Sequence, residues 1–209
     1  MKKVSGLFCS IAFIAGLSGT AQAADFKPYI GLGSGMFAID FKLNDTLTSS
    51  MSQRRQTWGG FIKAGVDAVH YFGAEFRLGA TGKASREWGA GLPVGYGAVT
   101  TGTSTVNTKI NYFFSYLGKL QYPVGDAFKV YALAGGTTAK YTVSWSATGS
   151  ENATVTGFTY GGGLEYGFAK RYSLGLEWVE YLKDATISGA GSTDQGSFRG
   201  LGATLNMSF

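Results

Sequence analysis

Side chains alternate in character along residues 109–122. Ile110, Tyr112, Phe114, Tyr116, Leu120 and Tyr122 fall on one face, with Gly118 as the interruption. Lys109, Asn111, Ser115, Lys119 and Gln121 fall on the other, where Phe113 and Leu117 are apolar exceptions. A period of two predicts a strand, because successive side chains point to opposite faces of the pleat. At 14 residues the run is far longer than the usual ~5–6 of a globular strand.

The same alternation recurs. Trp58, Ile62, Ala64, Val66 and Ala68 oppose Gly59, Phe61, Lys63, Gly65 and Asp67, and Ala74, Phe76, Leu78 and Ala80 oppose Glu75, Arg77, Gly79 and Lys83. Phe158, Tyr160, Leu164, Tyr166 and Phe168 oppose Thr159, Gly161, Gly163, Glu165 and Gly167. Leu174, Leu176 and Trp178 oppose Gly175 and Glu177; Leu201, Ala203, Leu205, Met207 and Phe209 oppose Gly200, Gly202, Thr204, Asn206 and Ser208. Residues 27–41 and 128–145 are strand-like with a looser pattern, which makes eight strands. Three connections are short, around 71–73, 123–127 and 169–171. Four are longer and rich in Ser, Thr, Gly, Asn and Asp, near 42–55, 87–107, 146–153 and 183–197, a turn-forming composition. Long and short connections alternate, as in an up-and-down antiparallel barrel with one tight rim and one looped rim.

Two aromatic sets mark those rims. Tyr71, Phe72, Tyr122, Phe128, Phe168, Tyr172 and Phe209 sit at the short-turn end, and Trp58, Tyr112, Trp145, Phe158, Trp178 and Phe198 toward the long loops. Amphipathic rings favour the headgroup level, so two girdles are expected of a membrane-spanning barrel. The unlike-charged residues Lys63, Asp67, Glu75, Arg77, Lys119, Glu165 and Glu177 share their face with many glycines. A narrow lumen suits that set, since charges pair there and small residues leave room. The apolar rows then face lipid and are long enough for the ~9–11 residues a spanning strand needs.

Composition narrows the class. The chain has 209 residues, 44% hydrophobic and 15% charged, with 33 Gly, 3 Pro and 1 Cys. Disordered chains are charge-rich and aromatic-poor, and glycine at this density disfavours helices. A single cysteine excludes a disulfide scaffold. Lys2 and Lys3, an apolar stretch over 4–17 and Ala21-Gln22-Ala23 read as a secretory signal over residues 1–23, leaving 24–209 as the barrel domain. Cys9 leaves with the signal. The formal charge of +5 falls by the two lysines to +3, and the remaining bases form no stripe, so no nucleic-acid surface is expected.

The last ten residues, Gly200-Leu201-Gly202-Ala203-Thr204-Leu205-Asn206-Met207-Ser208-Phe209, resemble the C-terminal β-signal of bacterial outer-membrane proteins. Val69-His70-Tyr71-Phe72, Ala74-Glu75-Phe76 and Leu174-Gly175-Leu176-Glu177-Trp178 also resemble strand–turn–strand pieces of small OmpA/OmpX-like barrels. The resemblance implies an all-β, eight-stranded antiparallel up-and-down barrel crossing the bacterial outer membrane many times. It further implies that Leu201, Ala203, Leu205, Met207 and Phe209 are read by the barrel-assembly machinery. Outer-membrane lipid and lipopolysaccharide are the expected surroundings, and a surface ligand would meet the loops. No appended soluble domain is expected after the barrel.

Catalysis finds little support. Lipid A deacylases of similar size carry His and Ser two residues apart, whereas His70, the only histidine, has Phe72 at that spacing. A hydrolase nucleophile needs an adjacent base, and omptin-like proteolysis would need histidine at the looped rim. Glu165 and Glu177 on neighbouring strands form a possible carboxylate pair, but lumen cations make a salt-bridge network the stronger expectation. Gly161-Gly162-Gly163 lacks the Lys-Ser/Thr of a phosphate loop. No cofactor or metal is expected, and an eight-stranded lumen is just wide enough for its own side chains. The leading reading is therefore non-enzymatic, with function in the loops, where Leu92, Pro93, Val94 and Tyr96 form an apolar cluster. A lipid-modifying outer-membrane enzyme and a soluble periplasmic ligand-binding barrel are the alternatives.

Overall fold

The structure, a computed structural model, describes residues 26–43, 51–68, 71–90, 93–95, 98–99, 101–146, 149–189 and 192–209. The proposed signal over 1–23 and His70 lie outside the described residues. Strands run β1 Phe26–Leu43, β2 Met51–Ala68, β3 Phe72–Thr81, β4 Ala84–Trp88, β5 Pro93–Gly95, β6 Ala98–Val99, β7 Ser104–Val124, β8 Phe128–Trp145, β9 Gly149–Ala169, β10 Tyr172–Gly189 and β11 Ser192–Ser208. Every neighbouring pair is antiparallel, β1 pairs with β11, and β3 pairs with β7, which closes the sheet. β3 and β4 are two parts of one barrel strand, both laid against β7. The result is an eight-stranded up-and-down barrel, and β5–β6 form a separate small hairpin.

Lipid-facing and lumen-facing residues separate as the alternation predicts. Phe76, Leu78, Phe114, Tyr116, Leu164, Leu176, Leu201 and Leu205 are exposed on the outside, while Lys63, Glu75, Arg77, Lys119 and Glu177 are buried inside. A soluble ligand-binding barrel would show the reverse, so that alternative is overturned. The short-turn aromatics Tyr71, Phe72, Tyr122, Phe128, Phe168, Tyr172 and Phe209 are all exposed, as are Trp58, Tyr112, Phe158 and Trp178 toward the other end. Phe198, expected in that second girdle, is instead fully buried in the lumen.

Parts of three expected loops are strand. Residues 51–55, 149–153 and most of 183–197 extend the β1–β2, β8–β9 and β10–β11 hairpins. β1 and β10 reach 18 residues each and β9 reaches 21. At ~3.3 Å per residue and a tilt of about 45°, an 18-residue strand climbs ~42 Å, against an apolar band of ~25 Å. The strands therefore stand well above the bilayer at the long-loop end. Their Ser/Thr/Asn-rich composition hides this, because once the outside is wet the apolar outer row that signals a spanning strand is no longer required.

A bulge reverses one further expectation. Ile110 pairs with Tyr141 but Tyr112 pairs with Lys140, so Asn111 is an extra residue in β7. An inserted residue shifts every later side chain to the opposite face. Ile110 is consequently inside and completely buried, and Lys109 is on the outside, the reverse of simple alternation. Lys83 is also exposed, because the strand is interrupted between Thr81 and Ala84.

Above the band the barrel parts along two seams. The β9–β10 ladder stops at Glu180–Tyr160, and the β2–β3 ladder stops at Gly59–Thr81. Beyond those points β10, β11, β1 and β2 make one four-stranded sheet and β4, β7, β8 and β9 another. Ile39, Leu182, Ala185 and Phe198 of the first face Val106, Ile110, Ala139, Tyr141 and Val155 of the second in one buried apolar cluster. The polarity of the wall has inverted: oil outside and charge inside within the membrane, oil inside and polar groups outside above it. Each half hides from its own solvent what that solvent does not satisfy.

Candidate functional site: the lumen and the outer half

Arg77 is the centre of the lumen. It projects inward from β3 with 1% exposure, and its two terminal nitrogens donate to the two carboxylate oxygens of Glu177 at 2.5 and 2.9 Å. Its Nε donates to Glu75 at 2.5 Å and its Nη1 to the Tyr181 hydroxyl at 2.9 Å. Glu75 accepts a second bond from the Tyr29 hydroxyl at 2.7 Å and lies 3.3 Å from Lys63 Nζ. The Tyr131 hydroxyl completes the shell of Glu177 at 2.9 Å. Taking charges out of water costs several kcal/mol per ion, recovered only when every donor and acceptor is matched. The fork of a guanidinium between two carboxylates meets that condition, which a lysine in its place does not.

A second group lies nearer the short turns. Lys119 Nζ is 2.8 Å from Asp67 Oδ1, at ion-pair distance although off the angle of a hydrogen bond, and Lys129 Nζ is 3.7 Å from Oδ2. Lys129 is absent from the set expected from the sequence; its strand, β8, had the looser pattern. Glu165 stands directly opposite Lys129 on β8 without closing to an ion pair, and its carboxylate accepts from Ser173 at 2.9 Å. Glu165 and Glu177 are not opposite each other, since Glu165 faces Gly175 and Glu177 faces Gly163. Lys63, Arg77, Lys119 and Lys129 thus balance Asp67, Glu75, Glu165 and Glu177 in this part of the lumen.

Above Arg77 the bore is closed by rings. Phe113 and Tyr181 have centroids 4.9 Å apart, Tyr181 and Phe198 5.0 Å, and Phe37 and Phe198 5.4 Å. Phe61 lies under the group with the Arg77 guanidinium carbon 4.9 Å from its centroid. Gly79 and Gly33 provide the space: a Cβ on Gly79 would meet the Phe113 ring, and one on Gly33 the Phe61 ring. A chain of hydroxyls, Ser115 to Thr137 at 2.7 Å and Thr137 to Thr159 at 2.6 Å, ends on the carbonyl of Tyr181 at 2.8 Å. Phe61 and Phe113, apolar residues on otherwise polar faces, were sequence signs of this plug.

The outer half presents polar ladders. Asp40 accepts from Arg54 at 2.8 Å and from Arg199 at 2.7 Å. Asn111 donates to Thr142 at 2.6 Å and Thr142 to Asn152 at 2.5 Å. The Thr142 hydroxyl is thus held between two side-chain amides. Pro93 belongs to the β5–β6 hairpin, while Leu92 and Tyr96 lie outside the described residues.

Comparison with known proteins places the architecture. Neisserial surface protein A shares 12% identity and a TM-score of 0.53, over 87% of this chain and 97% of that one. Ail, the attachment invasion locus protein of Yersinia pestis, shares 13% identity with a TM-score of 0.46, over 87% and 98%. The outer membrane protease OmpT of Escherichia coli shares 8% identity with a TM-score of 0.45, over 92% and 99%. No curated protein sequence matches. The family model of the outer membrane protein beta-barrel domain matches residues 9–209. With that match over a closed eight-stranded barrel sheathed in apolar side chains, the chain belongs to the outer membrane protein beta-barrel domain family and spans the outer membrane with its strands.

Proposed function

We propose that the protein is a non-enzymatic, non-conducting barrel that serves envelope integrity or surface interaction through its outer half. The observation that carries this reading is the double closure of the lumen. A neutral, hydrogen-bonded charge cluster is capped by packed aromatic rings, and among the described residues the acids and bases at its centre are paired with one another. Ion transfer through such a bore would require breaking bidentate pairs inside a low dielectric. The surface left for recognition is the wall of the outer sheets and the hairpins that cap them.

The test has two arms. Full-length protein in planar bilayers is expected to show no steady conductance, and removing the plug with Phe113→Ala and Phe198→Ala is expected to admit small ions. Lipid A from cells with and without the protein is expected to have the same mass. Steady channels in the unaltered protein, or lipid A that loses acyl chains only when it is present, would overturn the reading.

Assembly gives a further expectation. We propose that Leu201, Ala203, Leu205, Met207 and Phe209 act as the signal read during insertion. Leu201, Ala203, Leu205 and Met207 lie in the outward row of β11, Phe209 follows directly after that strand with its ring exposed, and the Phe209 amide donates to the Pro28 carbonyl at 3.0 Å. Deleting Phe209 removes one ring's contact, at most ~1.5–3 kcal/mol, and the terminal amide bond to Pro28, while the β1–β11 ladder from Tyr29–Ser208 onward remains. Its deletion should sharply lower the amount inserted in cells yet leave a heat-modifiable barrel on refolding in detergent. Normal insertion in cells would remove the signal role.

A further inference from the structure

The outside wall just above the apolar band carries an uncompensated group of cations on β4, β7 and β8. β4 begins with Ala84 opposite Thr108, which sets exposed Lys83 beside Lys109. Across the next seam Lys109 is opposite Thr142 and Lys140 is opposite Tyr112. Lys109 and Lys140 are therefore diagonal neighbours, about 7–8 Å apart at the backbone. The bulge at Asn111 creates this grouping, since without it Lys109 would point into the lumen. No side chain among the described residues forms an ion pair with any of the three. Elsewhere on the same level Arg54 and Arg199 share Asp40, so that sector carries its own counter-ion. Glu87, the outward carboxylate on β4, stands four residues farther from the membrane than Lys83.

Height and company indicate what completes the patch. Tyr112, directly opposite Lys140, is a girdle residue, 46% exposed. Lysine stems at a bilayer boundary lie along apolar surface and extend the ammonium to the headgroup level. Three like charges this close repel one another, and an anion supplied from that level removes the cost. We infer that Lys83, Lys109 and Lys140 form a binding site for the phosphate groups of an anionic lipid headgroup in the leaflet around the long-loop end. Tyr112 and the apolar band below take the acyl chains, and the uncharged ladder Asn111–Thr142–Asn152 flanks the headgroup. This rests on the membrane orientation and deepens the proposed surface role by naming a lipid partner for one sector of the wall.

The experiment uses the full barrel in nanodiscs of zwitterionic lipid doped with bisphosphorylated lipid A, or with the same lipid after phosphatase treatment. Retained lipid is counted by native mass spectrometry. Three proteins are compared: the unaltered chain, K83Q/K109Q/K140Q, and K170Q/R171Q at the opposite rim. Heat-modified migration confirms that each is folded. The expected result is retention of the phosphorylated lipid by the first and third and at least tenfold less by the triple variant, with no preference for the dephosphorylated lipid in any. Equal retention by the triple variant overturns the site, and an equal loss in the opposite-rim variant reduces it to general charge. Inositol hexakisphosphate binding to discs without lipid A as tightly as the doped lipid would assign the patch to a soluble polyanion and overturn the lipid assignment. None of these results depends on conductance or lipid A mass, so the two proposals fail separately.

Discussion

Arg77→Met is expected to cost the barrel about 3–5 kcal/mol, the loss typical of breaking a buried ion pair from one side. The variant leaves Glu177 with only the Tyr131 hydroxyl and Glu75 with Lys63 and Tyr29. Two carboxylates then face each other across a lumen from which water is largely excluded. Adding Glu177→Gln should recover a large part of the loss, because the uncompensated charge, more than the missing attraction, is what destabilises. Unfolding in urea followed by the heat-modified band shift gives both values, and the two changes should be strongly non-additive. A loss below about 1 kcal/mol for Arg77→Met would mean that the cluster is hydrated and screened, against the burial of all its members.

Phe114→Arg should be the next most damaging change, at about 2–4 kcal/mol, the cost of a cation on the lipid face near the midplane. Phe114 is exposed on β7 and stacks on Phe76 with centroids 6.1 Å apart. The same substitution at Thr156, also outward but above the band, should cost little, since only an exposed hydroxyl contact to Thr138 at 2.8 Å is lost. Both sites point away from the lumen, so the pair measures depth alone. If the two variants unfold at the same denaturant concentration in bilayers, the band does not lie where the exposed aromatics place it. Ser115→Arg is a poorer control, because Ser115 is fully buried beside Arg77 and hydrogen-bonded to Thr137.

The class, the strand number within the membrane and the direction of the apolar face are legible along the chain. Period two over long runs reports a wall with unlike solvents on its two sides, and tight polar turns between aromatics report its rim. The seven charges expected inside all lie on the lumen side of their strands because parity within one uninterrupted strand is a local property. Closure of the barrel and the register between strands set the rest. Arg77 and Glu177 are 100 residues apart, and which cation meets which carboxylate depends on closure and register rather than on spacing along either strand. Glu165 missed the cluster and Lys129 joined the second group for that reason. The height of the outer half was hidden because Ser- and Thr-rich strands carry no lipid-facing row, and their inner apolar row is broken by bulges. One inserted residue, Asn111, turned Ile110 inward and Lys109 outward, and parity read along a chain does not register an insertion that only the partner strand reveals.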